Sequence, residues 1–110
     1  MPEIDLADLT KGTGTMLTGH ERGLAARGHF MMDRFDAGAD VEHIIIKSPA
    51  NLDTVTPSFV QGFWAASLRA LGEENLRSKY DTSELPKVLQ EDFETGLQRL
   101  LLHRRAPAED

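Results

Sequence analysis

The chain has 110 residues, 40% of them apolar and 27% charged, no cysteine and a formal charge of -6. That length suits one domain that buries a core without a metal or disulfides, and the missing thiols exclude disulfide scaffolds, thiolate metal sites and thiol catalysis together. The acid excess repels phosphate backbones, so direct nucleic-acid binding is not expected.

Met1-Pro2-Glu3-Ile4-Asp5 lacks a basic region followed by an apolar core, and no apolar run approaches the roughly 18 residues that a membrane span needs. These features lead us to expect a cytoplasmic, soluble chain. Ile4, Leu6 and Leu9 with Asp5 and Asp8 among them form a weak alternation, read as a short half-exposed strand. Lys11-Gly12-Thr13-Gly14-Thr15 reads as a turn, because closely spaced glycines weaken any regular element.

Leu17, Leu24, Gly28, Met31 and Phe35 recur at spacings of seven, four, three and four, which predicts one face of a helix. Thr18 and Glu21 form a T-x-x-E capping box that makes Gly19 the first helical residue, and Gly38 is its expected stop. Val41-Glu42-His43-Ile44-Ile45-Ile46-Lys47 carries β-branched residues on both alternating faces and predicts a strand covered on both sides. Ser48-Pro49-Ala50-Asn51 is a turn, and Leu52-Asp53-Thr54-Val55 leads into Thr56-Pro57-Ser58-Phe59.

Thr56 before Pro57 is a strong helix start, since the hydroxyl accepts from a free amide and proline needs none. The helix it opens places Val60, Trp64, Ser67 or Leu68, and Leu71 inward, widened by Phe59 and Phe63, and Gly72 stops it. Leu76 to Tyr80 fits a short strand or a connection equally. Thr82 or Ser83 caps a final helix with Leu85, Leu89, Phe93, Leu97 and Leu101 every four residues, joined by Val88 and Leu100, with Pro86 in its first turn. Residues 1–105 thus read as a single domain, and 106–110 as a frayed tail.

The candidate chemistry gathers at Thr56-Pro57-Ser58-Phe59, where hydroxyls stand beside unpaired amides at the positive end of a helix. Such a junction suits an anion, a phosphoryl group or a partner's backbone. Gly12-Thr13-Gly14 lacks the Lys and Ser/Thr of a Walker loop and the third Gly of a dinucleotide loop. His20, His29, His43 and His103 lack metal-ligand spacing, so no metal is expected even though His29 and Asp33 stand one turn apart. His20, between Leu17 and Leu24, is expected to be partly buried with a hydrogen-bond partner. Ser58 is the best placed hydroxyl, yet no motif supplies its base, so no catalytic residue, cofactor or enzymatic activity is assigned. Arg99, His103, Arg104 and Arg105 complement the end of the last helix rather than form a nucleic-acid patch.

The order of strand, Thr56-Pro57-Ser58-Phe59 and a helix ending in Leu71-Gly72, preceded by Gly14-Thr15-Met16-Leu17, resembles the STAS-like domain of unknown function family over roughly Ile4 to Leu102. The resemblance implies an α/β fold with a small mixed sheet and packed helices, related to anti-sigma-factor antagonists. In those domains a partner kinase of the histidine-kinase-like ATPase family phosphorylates a Ser at the start of the helix after a central strand. Ser58 matches the second Ser of the antagonists' Asp-Ser-Ser-Gly, with Thr56 as the alternative switch, and Asp53, Thr54 and Pro57 complete the implied partner surface.

The resulting expectation is a non-enzymatic regulatory domain that binds a protein partner and is switched by phosphorylation at Ser58 or Thr56. The alternative is an acidic inhibitor that occupies a basic, nucleic-acid-binding surface of its partner with Asp33, Asp36, Asp40, Glu73, Glu74 and the tail.

Overall fold

The computed structural model describes residues 3–10, 14–38 and 43–105. The order is β1 (Glu3–Asp5), α1 (Ala7–Thr10), β2 (Met16–Leu17), α2 (His20–Phe30), α3 (Met32–Ala37), β3 (Ile44–Lys47), β4 (Thr54–Val55), α4 (Pro57–Leu71), α5 (Glu73–Lys79), β5 (Tyr80–Asp81) and α6 (Lys87–Arg105). This is the expected α/β class with a small sheet and packed helices. One sheet has the order β1-β3-β5 and a second pairs β2 with β4. Every pairing among the described residues is parallel, where a mixed sheet is implied by the resemblance. The physical reason is connectivity: helices stand between successive paired strands and return the chain to the same end.

The first strand forms around buried Ile4, as the alternation suggests, but Leu9 lies in the short α1 rather than in it. In β3, Ile44 and Ile46 are fully buried while Ile45 and Lys47 are half-buried, so one face is sealed and the other partly covered. Val41 and Glu42 of the expected strand lie outside the described residues, as do most of the expected Lys11–Thr15 turn and the tail.

The long helix expected from Gly19 onward is two helices. Met31 takes a left-handed conformation at φ 55°, ending α2 and starting α3. Such a conformation costs a non-glycine residue about 1–2 kcal/mol, and Arg27 of α2 spans the break to Asp33 and Asp36 of α3. Gly19, not Thr18, occupies the cap position of α2, without a side-chain cap. The inward face also differs from the apolar stripe: Leu24 and Met31 are 49% and 55% exposed, while Gly23, Ala26 and Arg27 are buried.

Close helix contact explains this choice. A Cβ on Gly23 would stand 2.2 Å from the Phe59 carbonyl oxygen, and one on Gly62 would stand 2.2 Å from the His20 carbonyl oxygen. The backbones of α2 and α4 therefore touch, and only glycine fits at either position. On the other side of α4, a Cβ on Gly96 of α6 would meet the Val60 side chain at 2.4 Å.

The start of α4 is as the sequence predicts. Thr56 Oγ1 accepts from the Phe59 amide at 3.3 Å, Pro57 occupies the first turn, and Gly72 ends the helix at φ 82°. Phe59, Val60, Phe63, Trp64 and Leu68 are buried, and each such side chain contributes about 1.5–3 kcal/mol before the cost of ordering it. Leu76 to Tyr80 is neither a strand nor a plain connection but most of α5 running into β5.

The inward stripe of α6 holds at Leu89, Phe93, Leu97 and Leu101, whereas Val88 is exposed. Neither Thr82 nor Ser83 caps this helix. They close a turn in which the Ser83 amide donates to Asp81 Oδ1 and the Leu85 amide to the Thr82 carbonyl. The Pro86 carbonyl accepts from Leu89 and Gln90, so proline precedes the first turn instead of entering it.

Candidate functional site

The junction between β4 and α4 is held from three sides. On one, the Asp53 amide donates to the Thr15 carbonyl at 2.9 Å and the Thr56 amide to the Leu17 carbonyl at 2.9 Å. On another, the Val55 amide donates to Asp92 Oδ2 of α6 at 3.0 Å, so a carboxylate blunts the free edge of β4. The third contact is Gly19 at the start of α2, whose amide donates to Thr56 Oγ1 at 3.4 Å. The first turns of α2 and α4 thereby converge on one threonine hydroxyl.

That convergence separates the two candidate hydroxyls. Thr56 is half-buried, and the amides of Phe59 and Gly19 occupy the two lone pairs of its oxygen. Its proton is left for Ser58 Oγ at 3.2 Å or the Leu17 carbonyl at 3.5 Å. Ser58 is exposed, with Thr56 as its side-chain partner and no histidine or carboxylate hydrogen-bonded to it among the described residues. The first turn of α4 holds no acidic residue, so its positive end is not offset from within the helix.

Asp53 is exposed and accepts from the Thr54 hydroxyl at 3.1 Å, while Pro57 is half-buried beside them. The structure thus places Asp53, Thr54, Thr56, Pro57 and Ser58 on one continuous, backbone-pinned turn. Beside it lies a cleft of about 370 Å³ whose apolar wall includes Leu17 and Phe59, with Arg22, His29 and Asp8 among its polar residues.

A second polar constellation, with no counterpart in the sequence reading, ties α2, α3, α4 and β5 together. Arg27 Nη2 donates to Asp36 Oδ2 at 2.9 Å and to Asp33 Oδ1 at 2.5 Å. Its Nη1 donates to Ser67 Oγ at 2.7 Å and to the Phe63 carbonyl at 2.9 Å. Asp36 also accepts from Ser67 and Tyr80, each at 2.6 Å. The Arg27 and Asp36 side chains are 7% and 5% exposed, whereas that of Asp33 is 89% exposed.

Burial pulls the Arg27 guanidinium down, but the hydrogen bonds and charges of Asp36 and Asp33 outweigh it and hold it above its ordinary value. Burial, and then the Asp36 carboxylate, push the Tyr80 hydroxyl well above the usual phenol range. Lys79, also buried, donates to the Phe35 carbonyl at the C-terminal end of α3. The signals available in the sequence were Ser67 on the inward stripe of α4 and a single tyrosine; the partners stand 31 and 44 positions from Asp36.

The histidines stand apart. His20 is exposed, against the expectation of partial burial, because the small residues of α2 rather than its apolar ones face α4. His29 lies 3.4 Å from Asp8 rather than joined to Asp33, and His43 lies 2.9 Å from Asp81. No group of three or more His, Asp or Glu side chains among the described residues is arranged to hold a metal ion.

Of the carboxylates considered for an acidic recognition face, Asp36 is buried, Asp33 and Glu73 hold arginines, and Asp40 lies outside the described residues. No helix among the described residues is long and apolar enough to cross a membrane. No family model, curated protein or solved structure matches this chain.

Proposed function

We propose that this chain is a STAS-like, non-enzymatic regulatory domain of the cytoplasm that binds a protein partner through the turn from Asp53 to Ser58. Ser58 is the phosphorylation switch, and a histidine-kinase-like ATPase is the partner that modifies it. The observation that carries this reading is the contrast between the two hydroxyls: Thr56 is committed to two amides, while Ser58 is exposed at the start of a 15-residue helix with no acid in its first turn.

A phosphoryl group there adds about 1.5–2 negative charges. The helix end favours that charge, so the modified turn keeps its structure while its surface becomes more strongly anionic beside Asp53. The adjacent cleft, where Leu9 and Ala25 are accessible over the buried Leu17 and Phe59, supplies the apolar contact that a protein interface needs at its centre.

The test is to recover the chain with its partners from its native cells, and to compare wild type with Ser58→Ala and Ser58→Glu. Phosphate on Ser58 and a partner lost from Ser58→Glu support the switch. An unmodified Ser58 and identical partners for all three chains oppose it.

A further inference from the structure

Gly23 and Gly62 are required by the crossing of α2 and α4, and Gly96 by the Val60 side chain, but a Cβ at Gly28 would meet nothing within 4 Å. Glycine is a poor helix former, and Gly28 stands inside α2 with no contact in the chain that asks for it. Its neighbours on that face are Leu24, one turn earlier, and Met31, at the end of α2, and both are exposed. An exposed leucine alone is ordinary. Two large apolar side chains on either side of an open glycine make a ridge and a notch, the pattern by which helices interlock. None of the three lines the cleft beside the Asp53–Ser58 turn, so this face is independent of the function proposed above.

Charge decides what covers the face. Glu21, one turn before Leu24, and Arg34 of α3 are both exposed, and neither is ion-paired among the described residues. The Arg34 guanidinium instead donates to the Met31 sulfur at 3.8 Å, which sets a cation at one end of the ridge with Glu21 at the other. A face that is apolar in the middle, anionic at one end and cationic at the other complements itself when turned end for end. In an antiparallel pair with Leu24 level with Gly28 of a second copy, Gly28 meets the second copy's Leu24, and Glu21 comes level with its Met31 and Arg34. A parallel pair would instead set Glu21 against Glu21 and glycine against glycine. Antiparallel helices also bring opposite dipole ends together.

We propose that this face of α2 joins two copies of the chain in a symmetric antiparallel pair, Leu24 seating on Gly28 of the other copy and Glu21 pairing with its Arg34. A crossing of 11-residue helices buries less than the roughly 1,200 Å² of the smaller stable interfaces, so the association is weak and concentration-dependent. Sedimentation velocity of the full-length chain at physiological salt, from about 10 μM to about 1 mM, should show monomer passing into dimer. Leu24→Glu should weaken the dimer about tenfold or more, because it places a charge at the apolar centre. Gly28→Ala should weaken it about threefold or more by filling the notch, while raising the thermal stability of the dilute chain. Glu21→Lys and Arg34→Glu should each abolish dimerisation alone. Their equimolar mixture should associate as the wild type does, since the mixed pair keeps one native contact and makes the other with exchanged signs. Every changed position is exposed, and helical circular dichroism checks that each variant is folded. A wild type still monomeric at about 1 mM, a dimer that Leu24→Glu leaves unchanged, or a mixture no better than its two components overturns the proposal.

Discussion

The Tyr80 hydroxyl donates to Asp36 Oδ1 at 2.6 Å, joining the first residue of β5 to the end of α3 across the buried face of α4. The hydroxyl's elevated proton affinity follows from its burial and then from this carboxylate. In the unfolded chain it titrates near 10, so above that pH the folded state retains a proton that the unfolded state has lost. This group's contribution to stability is therefore complete below about pH 10 and falls as pH rises further. Tyr80 is the only tyrosine, which makes the test direct. Phenolate absorbance should appear together with loss of helical circular dichroism. A reversible titration near pH 10 with the helices intact would contradict the burial of this hydroxyl.

Arg27 gives a second expectation. Asp36→Ala leaves a buried guanidinium with one remaining carboxylate, that of the exposed Asp33, and should cost roughly 3–5 kcal/mol in urea denaturation. Arg27→Met combined with Asp36→Asn removes both charges while keeping an acceptor for Ser67 and Tyr80. Its cost should be clearly below the sum of the single changes. Simple additivity would show that the two side chains do not act as a pair.

The crossing of α2 and α4 makes a prediction that runs against helix propensity. Alanine is favoured over glycine in a helix interior by about 1 kcal/mol. At Gly62 the added methyl meets the His20 carbonyl, which belongs to the backbone and cannot turn aside. Gly62→Ala should therefore destabilise by about 1–3 kcal/mol or more, whereas Gly28→Ala, with open space around it, should stabilise. Thermal unfolding of the two variants checks both signs.

These glycines also show what was readable beforehand and what was not. The Thr56-Pro57 start, the Gly72 stop and the inward residues of α4 follow from local chemistry and periodicity, and they stand as expected. Apolar spacing misleads in α2, because a close backbone crossing selects glycine and alanine, and the remaining inward position holds a charge met by Asp33 and Asp36 across the break to α3 and by Ser67 of α4. Three of the strands have only two residues each, too few for an alternation to register. At the candidate site, Ser58 was legible as the best placed hydroxyl at a helix start, and its exposure is seen in the structure. The engagement of Thr56 by Gly19 was not, because it depends on where α2 begins.

The central claim is that Ser58 is the modified and partner-sensing hydroxyl. Its most direct test is site-resolved mass spectrometry of the chain after incubation with its captured partner and ATP, with Ser58→Ala run in parallel. Phosphate on Ser58 in the wild type, none on Thr56 and none on the variant is the predicted result. Incorporation on Thr56, or no incorporation by a partner that nonetheless binds Ser58→Glu as tightly as wild type, would contradict it.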